Sequence, residues 1–80
     1  MDIVKNDFIV LDGLALKVKH ATEKALLVSF NRGDQVARFV DVWLPKSCFI
    51  ITNIKEYADG GREVFCTDLP NWCFTKLKGF

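Results

Sequence analysis

The sequence has one histidine, two prolines, one methionine and one tyrosine, and its charges nearly cancel. The scarcity of histidine and the balance of charge each bear on function. With His20 as the single histidine, acid–base or triad chemistry must use that ring or a carboxylate pair. His20 lies between Lys19 and Ala21 at a strand end, where a solvated side chain is expected and no nucleophile is placed beside it. Asp41, in an otherwise apolar strand, is expected to pair with Arg38 or face solvent. No glycine-rich phosphate loop is present. Gly60-Gly61 reads as a hairpin, whereas a P-loop needs Gly-x4-Gly-Lys-Ser/Thr between strand and helix. The reading is that the chain is not an enzyme.

Cysteine is equally uninformative as chemistry. Cys48, Cys66 and Cys73 are odd in number and contain no Cys-x-x-Cys pair, unlike a secreted disulfide scaffold. Zinc sites are normally built from two close ligand pairs, and here the nearest cysteines are Cys66 and Cys73. The expectation is three free thiols packed as small hydrophobes, with no metal and no cofactor. Met1 to Lys5 lacks the apolar core and small-residue cleavage site of a signal peptide. The longest uncharged run, Ser47 to Ile54, is far too short to span a bilayer. These features predict a reduced, cytoplasmic protein with no membrane segment.

Eleven Lys and Arg against ten Asp and Glu leave a formal charge of +1. A domain that works by gripping phosphates is usually clearly basic, so nucleic acid loses ground as a partner.

Eighty residues make a single domain, 1–80, since nothing is left over for a second core. A domain of this size hides only about 60–65% of the surface its unfolded chain exposes. Seven Phe, two Trp and one Tyr compensate, because each ring buries on the order of 150–250 Å². Trp43 and Trp72 are both expected to be largely buried, one on a central strand and one fastening a helix to the sheet.

The hydrophobic period is close to two over most of the chain. Leu14, Leu16 and Val18 alternate with Ala15, Lys17 and Lys19, the pattern of a half-buried strand, with Asp12-Gly13 as a turn before it. Phe8 to Leu11 reads as a short strand of its own. Lys24 to Phe30 is apolar on both faces. Asn31-Arg32-Gly33-Asp34 is the clearest hairpin signal, because Asn and Gly tolerate positive φ. Val36 to Leu44 follows as the return strand, with Val36, Val40, Val42 and Leu44 on one face and Ala37, Phe39 and Trp43 on the other. Pro45 ends it, and Lys46-Ser47 carries a tight corner. Phe49 to Tyr57 and Glu63 to Thr67 form a last hairpin about Asp59-Gly60-Gly61. Thr67-Asp68-Leu69-Pro70 then opens a helix of about two to three turns, with Leu69, Cys73 and Leu77 on one side, Trp72 and Phe80 beside them, and Gly79 as the stop. The fold class is mainly β (α+β): a small curved sheet or OB-like barrel of about five strands with a short C-terminal helix. A flat sheet cannot bury both faces of Lys24 to Leu44, so closure, a second layer or a partner subunit is expected to cover the outer one.

Three blocks resemble a pattern in small phage and prophage proteins. They are Glu23 to Val28, Val42-Trp43-Leu44-Pro45-Lys46-Ser47, and Leu69-Pro70-Asn71-Trp72 with Lys78-Gly79-Phe80. In that group a Lys-Ala-aliphatic strand precedes a strand ending in Trp, an aliphatic residue, Pro, Lys and Ser, and a Pro-x-Trp helix closes the chain. The resemblance covers roughly residues 14 to 80. Cys48 stands where Gln is usual, and Cys73-Phe74 where small and acidic residues are commoner. The resemblance implies a phage-like origin and a small β-rich fold, and it assigns no catalytic or binding residue.

Two binding readings follow. The favoured one is a phage-like accessory protein, a binding module acting by protein–protein interaction, for instance as a host-defence inhibitor or an inhibitor of a host enzyme. Apolar residues on both strand faces need cover, and a homo-oligomer is one way to supply it. The alternative is single-stranded nucleic acid. In it Lys17, Lys19, Arg38 and Lys46 track phosphates while bases stack on Phe39 and Trp43.

Overall fold

A computed structural model describes residues 3–11, 14–33, 35–67 and 69–78. Asp12 and Gly13 of the expected turn, Asp34 of the expected hairpin, Asp68 at the expected helix start, and Gly79 and Phe80 lie outside the described residues.

Six strands and one helix make up the described chain: β1 (Phe8–Leu11), β2 (Leu14–Ala21), β3 (Ala25–Asn31), β4 (Phe39–Pro45), β5 (Ile51–Glu56), β6 (Arg62–Cys66) and α1 (Asn71–Lys78). They form one mainly β architecture, a mixed sheet in the order β4-β3-β2-β1-β6-β5. All neighbours are antiparallel except β1 and β6, which run parallel from Phe8↔Glu63 to Val10↔Phe65.

The period-two pattern sorts the side chains. Ile9, Leu11, Leu16, Val18, Leu26, Val28, Phe30, Leu44 and Val64 alternate with half-buried or exposed neighbours and form the buried inner face. Leu69, Cys73 and Leu77, spaced four residues apart on the chain's last segment, lie in the same core. Ile3, Cys48 and Phe49 fill its ends.

The barrel expectation is corrected: β4 and β5 are separate edges, and the sheet is open. It is nonetheless strongly curled. Strands about 4.8 Å apart would put the two edges of a flat six-stranded sheet about 24 Å apart. The link from Pro45 to Ile51, which begins with a 3₁₀ turn at Lys46–Cys48, reaches about 20 Å at most even when straight. Bulges between Val18 and His20 and between Ile51 and Asn53 supply local bending. The link also carries Cys48 and Phe49 into the core.

Two turns explain their glycines. Gly60 adopts φ +91° in the β5–β6 hairpin, where the Tyr57 N–H donates to the Gly61 carbonyl at 2.8 Å. Between β3 and β4 the Asn31 side-chain oxygen accepts from the N–H groups of Gly33 and Arg38, each at 3.0 Å. A Cβ on Gly33 would fall 1.7 Å from the Val36 carbonyl oxygen, so no other residue fits. This connection holds Val36 in solvent at 78% exposure, and β4 begins at Phe39 instead of Val36.

The helix is held at its far end by Arg32, whose Nε donates to the Leu77 carbonyl at 2.6 Å and whose Nη2 donates to that of Lys76 at 2.9 Å. A guanidinium there satisfies carbonyls that the helix cannot and opposes the negative end of its dipole. Asp7 is buried at 2% exposure. Its carboxylate accepts the Val4 N–H at 3.0 Å and faces Arg62 Nε at 3.3 Å.

Candidate binding face

The helix, the β4–β5 link and the N-terminal segment all contribute to the core on the inner face of the sheet. The outer face is built by the alternate residues. Across it one row reads Asp41, Ser29, Lys17, Phe8, Glu63 and Lys55, each opposite the next on the neighbouring strand. Beside it Trp43 stands opposite Leu27, and Leu27 opposite His20.

Both tryptophans depart from expectation. Trp43 is 45% exposed, because it shares the outward parity of Phe39 and Asp41 while the next residue, Leu44, takes the core position. Trp72 is 52% exposed, being about 100° around the helix from the buried stripe of Leu69, Cys73 and Leu77. Phe39 is 67% exposed.

The outer face thus carries two aromatic patches. One comprises Trp43 on β4, half-buried Leu27 on β3 and exposed His20 on β2, whose ring meets Trp43 edge-on with centroids 6.0 Å apart, while Phe39 lies on the same face two pairs further along β4, beyond Asp41. The other gathers Phe8, Val10, Ala15 and Tyr57 around a depression of about 320 Å³. The Tyr57 hydroxyl donates to Glu63, and Lys55 Nζ stands 5.2 Å from the Tyr57 ring centre.

Of the six residues proposed for nucleic acid, four share this face: Lys17, Lys19, Phe39 and Trp43. Arg38 and Lys46 flank β4 at its two ends. Lys17 and Lys19 are already engaged. Lys19 Nζ sits 3.2 Å from Asp41, which therefore pairs with Lys19 and not with Arg38. Lys17 Nζ lies 5.8 Å above the Phe8 ring. The acid–base balance of the whole chain is repeated locally, with Asp41 and Glu63 in the same row as Lys17 and Lys55.

The two sheet edges differ. Arg32 N–H donates to the Arg38 carbonyl and Lys46 N–H to that of Lys24, so the even-numbered residues of β4 bond to β3. Phe39, Asp41 and Trp43 therefore aim their backbone groups at the free edge. Lys76 Nζ donates to the Trp43 carbonyl at 3.2 Å, and Pro45 has no N–H to offer, which blunts half of that edge against strand addition. At the other edge Ile51, Thr52, Asn53, Ile54 and Glu56 border a shallow cleft of about 490 Å³.

His20 keeps company with Trp43, and among the described residues no group of three metal-ligating side chains converges. No described helix is long and apolar enough to cross a membrane.

The buried Asp7–Arg62 pair is what sequence reasoning missed. Asp7 precedes an apolar run like any surface acid, and Arg62 follows a Gly-Gly turn; only the parallel pairing of β1 with β6 brings them together. Comparison with protein-family models, curated proteins and solved structures finds no match to the chain.

Proposed function

We propose that this chain is a non-enzymatic binding module that docks on a protein through the outer face of its sheet, centred on Phe39 and Trp43. The observation that carries this reading is the exposure of those two rings, 67% and 45%, on one face of β4 that also carries paired opposite charges, with Leu27 opposite Trp43. Exposed aromatic anchors set among matched charges suit a protein surface, where a few buried rings supply most of the affinity. The resemblance to small phage proteins supports a phage-encoded accessory protein in the host cytoplasm, and an inhibitor of a host enzyme or defence system is the form such a protein would take.

Single-stranded nucleic acid is the second reading, favoured by the presence of Lys17 and Lys19 on the same open face as both rings. Two facts weigh against it: Asp41 neutralises Lys19, and the chain's formal charge is only +1. Affinity capture from host lysate separates the two, using wild type and a Phe39→Glu, Trp43→Glu double variant in parallel, with and without nuclease. A discrete protein retained after nuclease and lost with the double variant supports the proposal. Submicromolar binding of a single-stranded oligonucleotide at about 150 mM salt, steeply weakened by added salt and by charge reversal of Lys17 and Lys19, would replace it with the second reading.

A further inference from the structure

Cys48 and Cys73 come from distant parts of the chain, one closing the 3₁₀ turn after β4 and the other in the middle of α1. Both are buried in the core. The Cys73 thiol donates to the Cys48 sulfur at an Sγ–Sγ distance of 2.7 Å. Ordinary apolar packing separates carbon atoms by about 3.5–4.0 Å, so these sulfurs are closer than packing requires. A disulfide bond is about 2.05 Å long, which leaves about 0.7 Å to close. Cys66 lies elsewhere, on β6, with its thiol 4.0 Å from the Val64 carbonyl.

We propose that Cys48 and Cys73 form an oxidation site, closing to a reversible disulfide that fastens α1 to the turn after β4 and leaves Cys66 as a free thiol. The oxidant is a small disulfide of the glutathione class. One cysteine thiolate attacks the glutathione disulfide, forming a mixed disulfide and releasing one glutathione thiolate. The second cysteine thiolate then attacks the protein sulfur of that mixed disulfide, forming the Cys48–Cys73 bond and expelling the second glutathione. Two electrons pass from the protein to the oxidant, and the two thiol protons end on the two reduced glutathiones.

The fold decides when this happens. In the closed state both sulfurs are shielded, and burial together with the hydrogen bond to Cys48 pushes the Cys73 thiol up to about 12. Reaction therefore proceeds from states in which α1 has lifted. The helix is eight residues long and takes no part in the strand ladders, so it can open without breaking the sheet. Closure of the bridge then removes that opening. This site does not depend on the outer face or on what binds there.

The test starts from reduced, denatured protein, so that burial cannot hide the thiols. The chain is refolded in a glutathione redox buffer, quenched by alkylation, and mapped by mass spectrometry. The expected product has lost two hydrogens, links the Cys48 and Cys73 peptides, and carries one alkylated thiol at Cys66. Its Tm lies above that of the reduced protein by about 15–25 °C, as a crosslink closing a loop of this length implies. Cys66→Ser should form the same bridge. Three alkylated cysteines at equilibrium, or a bridge that uses Cys66, would overturn the proposal.

Discussion

Asp7→Ala removes a carboxylate that is 2% exposed and leaves Arg62 without its 3.3 Å counter-ion. Breaking a buried ion pair from one side typically costs 3–5 kcal/mol, because the remaining charge stays desolvated. The Arg62 side chain is 26% exposed and regains part of its hydration, and the part-buried Val4 N–H loses its acceptor. The expected loss is therefore about 2–4 kcal/mol. An 80-residue domain has about 4–12 kcal/mol in total, so the variant should remain folded at low temperature with Tm lowered by about 10–25 °C. Urea denaturation at neutral pH, followed by circular dichroism, measures it. Adding Arg62→Met should recover part of the loss, since the partly desolvated cation goes with it, and the double-mutant cycle should give a coupling of at least about 1 kcal/mol. An unchanged urea midpoint for Asp7→Ala, or a coupling near zero, would refute the claim that this pair clamps the N-terminal segment to β1 and β6.

Arg32→Ala should destabilise the fold by about 1–2 kcal/mol and raise amide exchange in α1 above that in the sheet, since two helix-end carbonyls lose their donor; equal exchange in wild type and variant would count against the cap. Trp43→Ala and Trp72→Ala should each cost only about 1 kcal/mol or less, and both indoles should be readily quenched by acrylamide, whereas losses of 3 kcal/mol or more (about the range for a buried ring) would return them to the core. Alkaline titration probes Cys73. Its folded-state ionisation is raised to about 12 by burial and by the Cys48 thiol, so the neutral thiol stabilises the fold fully below the ordinary value near 9, and that contribution is lost as pH rises from about 9 towards 12. Cys73→Ala should flatten this part of the stability profile relative to wild type; an identical slope in both would mean that the thiol is not shielded in the folded state.

Periodicity alone determines most of the strand set, because a half-buried strand must alternate and a one-residue slip would reverse every face. It marks Leu14 to His20, Lys24 to Phe30 and Glu63 to Thr67 within a residue or two of β2, β3 and β6, and the four-residue spacing of Leu69, Cys73 and Leu77 marks the helix. It also puts Phe39 and Trp43 on the face opposite Val40, Val42 and Leu44. Which face becomes the core is a tertiary decision. Both faces of β4 are apolar, and it is the docking of α1 and the β4–β5 link on the valine–leucine side that leaves the aromatic side in solvent. Aromatic size argues for burial of both tryptophans, and topology overrides it. The order of the strands was likewise not legible: the parallel β1–β6 pairing joins residues far apart in the chain and depends on the curl that brings the β4 and β5 edges within reach of a short link. The same long-range assembly creates what no local pattern carries: the Asp7–Arg62 pair, the Arg32 cap on α1, and the meeting of Cys48 with Cys73. Alternation is a property of neighbours along the chain, whereas these contacts depend on the path the chain takes between them.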